Sequence, residues 1–175
     1  RLRRRDGARA LMSLIKGGNL VEDTFVDASG GETIPPSGPV IVNLAQWQAQ
    51  RDALLARGTP LGLRLHSDQS PEAIADDIQH FALIALEFPK FRDGRAYSYA
   101  RLLRERYGFK GELRAVGDVL MEQVFFMVRT GFDAFDLQHS PDPVADFQTA
   151  LRDFSVWYQP TGDGRPTAMQ LRHRT

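Results

Sequence analysis

Apolar residues in this chain gather in short, nearly continuous runs separated by amphipathic stretches. Val40 to Val42, Leu61 to Leu65, Phe81 to Phe88 and Leu113 to Val116 are such runs, with a weaker fifth at Ala134 to Leu137. Runs of this length bounded by polar turns read as strands. The unbroken stretch Phe81-Ala82-Leu83-Ile84-Ala85-Leu86 suits a strand buried on both faces, as in a parallel sheet.

Helix signals fill the gaps. Asn43 followed by Gln46 resembles a capping box, Ser70 precedes Pro71, Asp118 follows Gly117, and Asp142 precedes Pro143. Each places an oxygen acceptor, or a proline, where the first helical turn has free N–H groups. Gly58, Gly108 and Gly131 supply the matching stops. Helices are therefore expected over 44–57, 71–79, 97–107, 119–130 and 143–154. Alternation of strand and helix predicts an α/β fold, a mostly parallel sheet of about five strands flanked by helices. An open three-layer sheet is the first reading and a partial or degenerate βα barrel the second, since a closed barrel needs about 250 residues. In either, a ligand sits at the carboxyl ends of the strands, in loops 66–70, 89–96, 117–118 and 138–142.

Residues 12–26 read as a β-hairpin turning at Gly17-Gly18-Asn19. Met12 is a candidate start, which makes 1–11 a leader or extension. The single α/β domain is then 12–159, and the polar stretch 160–175 a flexible tail. Helix 119–130 carries Val119, Leu120, Met121, Val124, Phe125, Phe126, Met127 and Val128, apolar too far around the cylinder for a half-exposed helix. Central burial explains it, with a homo-oligomeric or partner interface as the alternative.

The 175 residues include no cysteine and balance 22 basic against 22 acidic side chains. Without thiols there is no cysteine nucleophile, redox pair, Cys-ligated iron–sulfur cluster or Cys-type zinc site. No apolar run approaches a membrane span. The basic start is followed by Asp6 and Gly7 instead of a signal core, so a cytoplasmic location is expected. Charge is segregated all the same. Residues 68–87 hold five acidic and no basic side chains, whereas 90–114 hold eight basic against three acidic. Neighbouring blocks of opposite sign argue against nucleic acid as partner and allow a local anion site.

That site is expected around Pro89-Lys90-Phe91-Arg92-Asp93-Gly94-Arg95-Ala96-Tyr97-Ser98, where a buried strand runs into a helix. Lys90, Arg92 and Arg95 suit a small oxyanion ligand, and Arg64 and Arg114 on neighbouring strands can join them. The competing reading is structural: Asp93 caps the helix, Arg95 and Arg101 pair with Glu87 or Glu105, and the aromatics pack. Secondary candidates are His66, either an acid/base group followed by Asp68 and Gln69 or a solvent-facing loop histidine with an Asx-type turn, and Glu87, polar inside an apolar strand, meeting Arg64 or Arg114 in a structural ion pair or in a site. Asp118 follows a lone glycine turn. His66, His80, His139 and His173 are too scattered for a metal site, and no nucleotide, serine-elbow or phosphate-loop motif occurs. The cofactor and any catalytic residue stay unassigned.

Gly62-Leu63-Arg64-Leu65 with Ser67-Asp68-Gln69, the stretch ALIALEFPKFRDGRAYSYARLLRERYGFKGELRAVGDVL (82–120), LIKGGNLVED (14–23) and PVIVNLAQW (39–47) resemble a bacterial family of unknown function encoded beside assimilatory sulfite reductase. That resemblance implies a cytosolic role in sulfate assimilation under the label of an oxidoreductase in sulfite reduction. The implied function is that of an accessory protein partnering the sulfite reductase haemoprotein or assisting electron delivery to it. A small α/β enzyme binding an anionic metabolite is the alternative. Neither reading carries over a catalytic residue.

Overall fold

The computed structural model describes residues 14–90, 92–137, 140–152 and 157–172. The expected leader 1–11, the start at Met12, Phe91, His139 and His173 lie outside them. Eight strands form one sheet: β1 Leu14–Lys16, β2 Asn19–Val21, β3 Val26–Asp27, β4 Val40–Asn43, β5 Leu61–Leu65, β6 Leu83–Phe88, β7 Glu112–Gly117 and β8 Ala134–Asp136. Their order is β2-β1-β8-β7-β6-β5-β4-β3. Strands β3 to β8 run parallel, each beside its neighbour in sequence. The pair β1 and β2 closes one edge, with β1 antiparallel to both β2 and β8.

This corrects the expected sheet in extent and in shape. The strand β3 is only two residues long and does not register as a run, and β1 and β2, expected as a separate hairpin, join the sheet as its antiparallel edge. A three-layer sheet needs the strand order to reverse, so that helices fall on both faces; here the order never reverses. The connection from β2 to β3 shows the consequence. It joins opposite edges of the sheet through residues 22–25 alone. Such a link reaches at most about 18 Å, whereas eight flat strands would place their edges about 34 Å apart. The sheet curls into a half-barrel, the second of the two expected architectures, and residues 22–25 strap its concave side.

Helices α1 Leu44–Ala56, α2 Arg95–Arg101, α3 Met121–Thr130 and α4 Pro143–Arg152 contribute to the convex face. One large apolar cluster fills it, with Val40, Val42, Leu63, Leu65, Ile84, Leu86, Phe88, Leu113, Ala115 and Phe135 from the strands and Trp47, Leu54, Ala100, Leu103, Val124, Met127 and Phe147 from the helices. The capping box is realised: Gln46 N–H donates to Asn43 Oδ1 and Asn43 N–H to Gln46 Oε1, both at 2.8 Å. Ser70 Oγ accepts from Glu72 N–H and Asp142 Oδ1 from Ala145 N–H, and the three glycine stops take positive φ.

Other elements depart from expectation. Residues 71–79 form two 3₁₀ turns, Pro71–Ile74 and Ile78–His80, instead of one helix. Asp77 between them binds Trp47 Nε1 and Arg51, while Ile74 and Ile78 face the core. Helix α2 begins at Arg95 and passes into a π-turn at Leu102–Arg106. There Arg104 donates to the carbonyls of Phe109, Gly111 and Gly131, which ties the turn to the start of β7 and the end of α3. Asp118 is not the cap of α3, which starts later, at Met121, with Leu120 at its N-cap; Asp118 N–H donates to Phe88 O. The expected hairpin ends at Val21: Phe25 and Val26 belong to the strap and the far edge.

Residues 157–172, most of the expected tail, fold back onto α3. Arg129, 7% exposed, meets Asp163 at 3.0 Å and lies 4.5 Å from the Trp157 ring centre. The short α5, Ala168–Arg172, follows, with Thr167 and Ala168 buried. The sequence reading missed this because Trp157 and Arg129 stand far apart in the chain. Phe125 also packs against Trp157, so part of the apolar surplus of α3 is used internally.

Candidate functional site

Alternation along the parallel strands sends every second residue to the concave face. Register aligns Asn43, Arg64, Ala85, Arg114 and Ala134 in one row across five strands. A small apolar patch of Ile41, Leu83, Ala85 and Val116, covered by Phe25 of the strap, sits among them. Two charged groups occupy this face, one at the level of the Arg64–Arg114 row and one rising to the strand carboxyl ends.

The lower group centres on Arg114, whose side chain is 5% exposed. It donates from Nη2 to Asp23 Oδ1 at 3.1 Å and from Nε to Glu112 Oε1 at 2.8 Å, and Glu112 Oε2 binds Lys16 Nζ at 2.8 Å. Burial disfavours the Arg114 charge, but Asp23 and Glu112 outweigh it and hold the guanidinium protonated. Its donors are shared between Asp23 of the strap and Glu112 of β7.

The upper group joins four side chains. Arg64 donates to Asp27 Oδ2 at 3.3 Å and pairs with Glu87 Oε1 at 3.2 Å. Glu87 Oε2 faces His66 Nδ1. Gln69 Oε1 accepts from His66 N–H, and Gln69 N–H donates to His66 O, so loop 66–69 closes on itself. Of the two partners expected for Glu87, Arg64 and Arg114, it meets Arg64. The sequence reading gave His66 the wrong neighbour, since the carboxylate comes from β6 and not from Asp68, which is exposed.

Loop 89–95 stands beside this group. Arg95 binds Asp93 with both Nη2 (2.7 Å) and Nε (3.0 Å), and its Nη2 also reaches Ser67 Oγ at 3.0 Å. Hydrogen bonds from Arg95 and then Ser67 hold the Asp93 carboxyl well below the usual range. Arg101 pairs with Glu105 as expected, whereas Arg95 takes Asp93, and the N-cap of α2 is Gly94, with Asp93 Oδ1 accepting from Arg95 N–H at 3.2 Å. Lys90 and Arg92 are exposed and enter no ion pair among the described residues. Tyr97 packs edge-on to Phe88 with ring centres 5.2 Å apart, and burial pushes its hydroxyl up to about 12. Ser98 faces outward, beside a shallow cleft with Arg101, Leu102, Glu105 and Arg106. Asp23, Asp27 and Ser67 escaped the sequence reading because a strap and a register, invisible in composition, bring them in.

A larger cleft of about 510 Å³ opens at the opposite end, between the Gly17-Gly18 turn, α3 and α4, lined by Phe132, Phe135 and Phe147. It is mostly apolar and holds no cluster of titratable groups. The strand carboxyl ends, where parallel βα folds gather chemistry, have the charged one. Among the described residues no group of three His, Asp or Glu is placed to hold a metal ion, and no helix is long and apolar enough to cross a membrane.

Fold and site together define an α/β half-barrel of mixed sheet with a histidine–carboxylate–guanidinium chain at the carboxyl rim of its parallel strands. The chain belongs to a bacterial family of proteins of unknown function, DUF934, whose profile matches residues 62–169. That span runs from β5 to α5 and includes the whole of loop 89–95. No curated protein matches the chain.

Proposed function

We propose that this protein serves assimilatory sulfite reduction as an accessory that partners the sulfite reductase haemoprotein and assists electron delivery to it. The observation that carries the reading is where the most distinctive resembling string, Phe88 to Ala100, falls in the fold. It forms the rim loop and the start of α2, and its two exposed cations, Lys90 and Arg92, serve no ion pair among the described residues. Core packing makes no demand for charges there, whereas an acidic surface on a partner does, since complementary charge steers encounter and fixes orientation. A chain without cysteine has no thiol couple of its own, so the electrons belong to cofactors the partner carries. Co-purification from the native host should bring the reductase down with this chain, and deletion should slow growth on sulfate but not on cysteine. Absence of a complex together with normal growth on sulfate refutes the proposal.

A further inference from the structure

We infer that His66 is an acid/base residue for a small oxyanion substrate that carries an ionisable O–H, such as hydrogen sulfite or a phosphate monoester. Three observations lead there. First, Glu87 uses both carboxylate oxygens, one for Arg64 and one for His66 Nδ1. A carboxylate so placed only accepts, so Nδ1 carries a proton, and in the neutral ring Nε2 keeps its lone pair. The His66 side chain is 49% exposed while that of Glu87 is 19% exposed, which leaves the ring accessible and its orienting partner covered.

Second, the chain Asp27–Arg64–Glu87–His66 sets four polar side chains on a face that Ile41, Leu83, Ala85 and Val116 also line, with its two end members, Asp27 and His66, about half exposed. The arrangement fixes the position and tautomer of one ring, as an orienting carboxylate does for a general base. Third, the cations that an oxyanion needs are close by along the chain. Ser67, adjacent to His66, binds Arg95, which stitches loop 89–95 to loop 66–69 and leaves Lys90 and Arg92 unpaired among the described residues.

In the step so defined, Nε2 accepts the proton of the substrate O–H. The ring becomes an imidazolium balanced by Glu87, Lys90 and Arg92 are the cations assigned to offset the new negative charge on the substrate, and the proton returns to the anion or to water. No oxidant or co-reactant is needed. The inference shares Lys90 and Arg92 with the reductase partnership but not His66 or Glu87, and its test uses the purified chain alone, so that the two can fail separately.

Ring-¹⁵N spectra of histidine-labelled protein read the tautomer and the ligand contact together. The expected result is the Nδ1–H form at His66 and its loss in Glu87→Gln, with the Nε2 signal moving on titration with hydrogen phosphate and moving less with sulfate, which has no proton to offer. Replacing Lys90 and Arg92 by glutamine should raise the midpoint of the phosphate titration by about tenfold or more. A structural ion pair would also fix the tautomer, but it would leave Nε2 indifferent to anions. Finding Nε2 unmoved at saturating phosphate, a stronger response to sulfate, or the Nε2–H form in the unmodified protein would overturn the inference. Circular dichroism of each variant confirms that it is folded.

Discussion

Asp23 reaches across the concave face of the sheet to Arg114, 91 positions away in sequence, with Oδ1 at 3.1 Å from Nη2. The contact fastens the strap that joins the two edges of the half-barrel, and it covers a guanidinium that β7 has already taken out of water.

Removing Asp23 leaves that guanidinium with Glu112 as its remaining carboxylate. Asp23→Ala should cost about 3 kcal/mol, the low end for breaking a buried pair because Asp23 itself keeps 31% of its side chain exposed. The double variant Asp23→Ala, Arg114→Met should lose less than Asp23→Ala alone, since no unpaired charge remains. Urea midpoints of the three proteins check this.

Arg129 should control the docking of the C-terminal segment. Arg129→Ala removes the Asp163 pair, the hydrogen bond to Gln159 O and the cation–π contact with Trp157. Residues 157–172 should then become susceptible to limited proteolysis while the sheet stays intact. Equal resistance in the variant and the parent would show that other contacts hold the segment.

Asp93 gives the rim a pH dependence of known sign. Its carboxyl titrates below the ordinary 3.8 when folded, so its contribution is complete above that value and disappears as pH falls through the folded one. Asp93→Asn should be less stable than the parent at neutral pH, and the gap should close below about pH 4. Asp77, held low by Arg51 and Trp47, keeps some acid sensitivity in both proteins. Melting temperatures across this range separate the two contributions.

Gly117 ends β7 with φ near 92°, and a Cβ there would stand 2.6 Å from Phe88 O. Gly117→Ala should cost about 1–3 kcal/mol through positive φ and the clash. It should also disturb Asp118 N–H, which donates to the same carbonyl at 2.7 Å. Slowed hydrogen exchange at Asp118 in the parent, lost in the variant, reports the effect directly.

Much of this was legible in the chain, for reasons that differ by residue. The parallel strands announce themselves because burial on both faces removes polar alternation, and Glu87 stands out against Leu83 to Leu86 for the same reason. Its partner could be narrowed to Arg64 or Arg114 because the neighbouring strands supply few other cations, and the structure selects Arg64. His66 was assigned to Asp68 because the true contact depends on register one residue beyond the end of β5. The strap was illegible: residues 22–25 look like the second arm of a hairpin until the strand order shows that they cross the sheet. The helix at 71–79 failed because Asp77 bonds sideways to α1, a tertiary demand that local pattern does not carry.

The central claim, that the rim loop bearing Lys90 and Arg92 meets an acidic partner surface on sulfite reductase, is tested most directly by titrating the purified reductase haemoprotein with this chain and with its Lys90→Glu, Arg92→Glu variant at low and high salt. The account predicts binding by the parent that weakens with salt and is abolished by charge reversal. No binding by the parent, or equal binding by the variant, would contradict it.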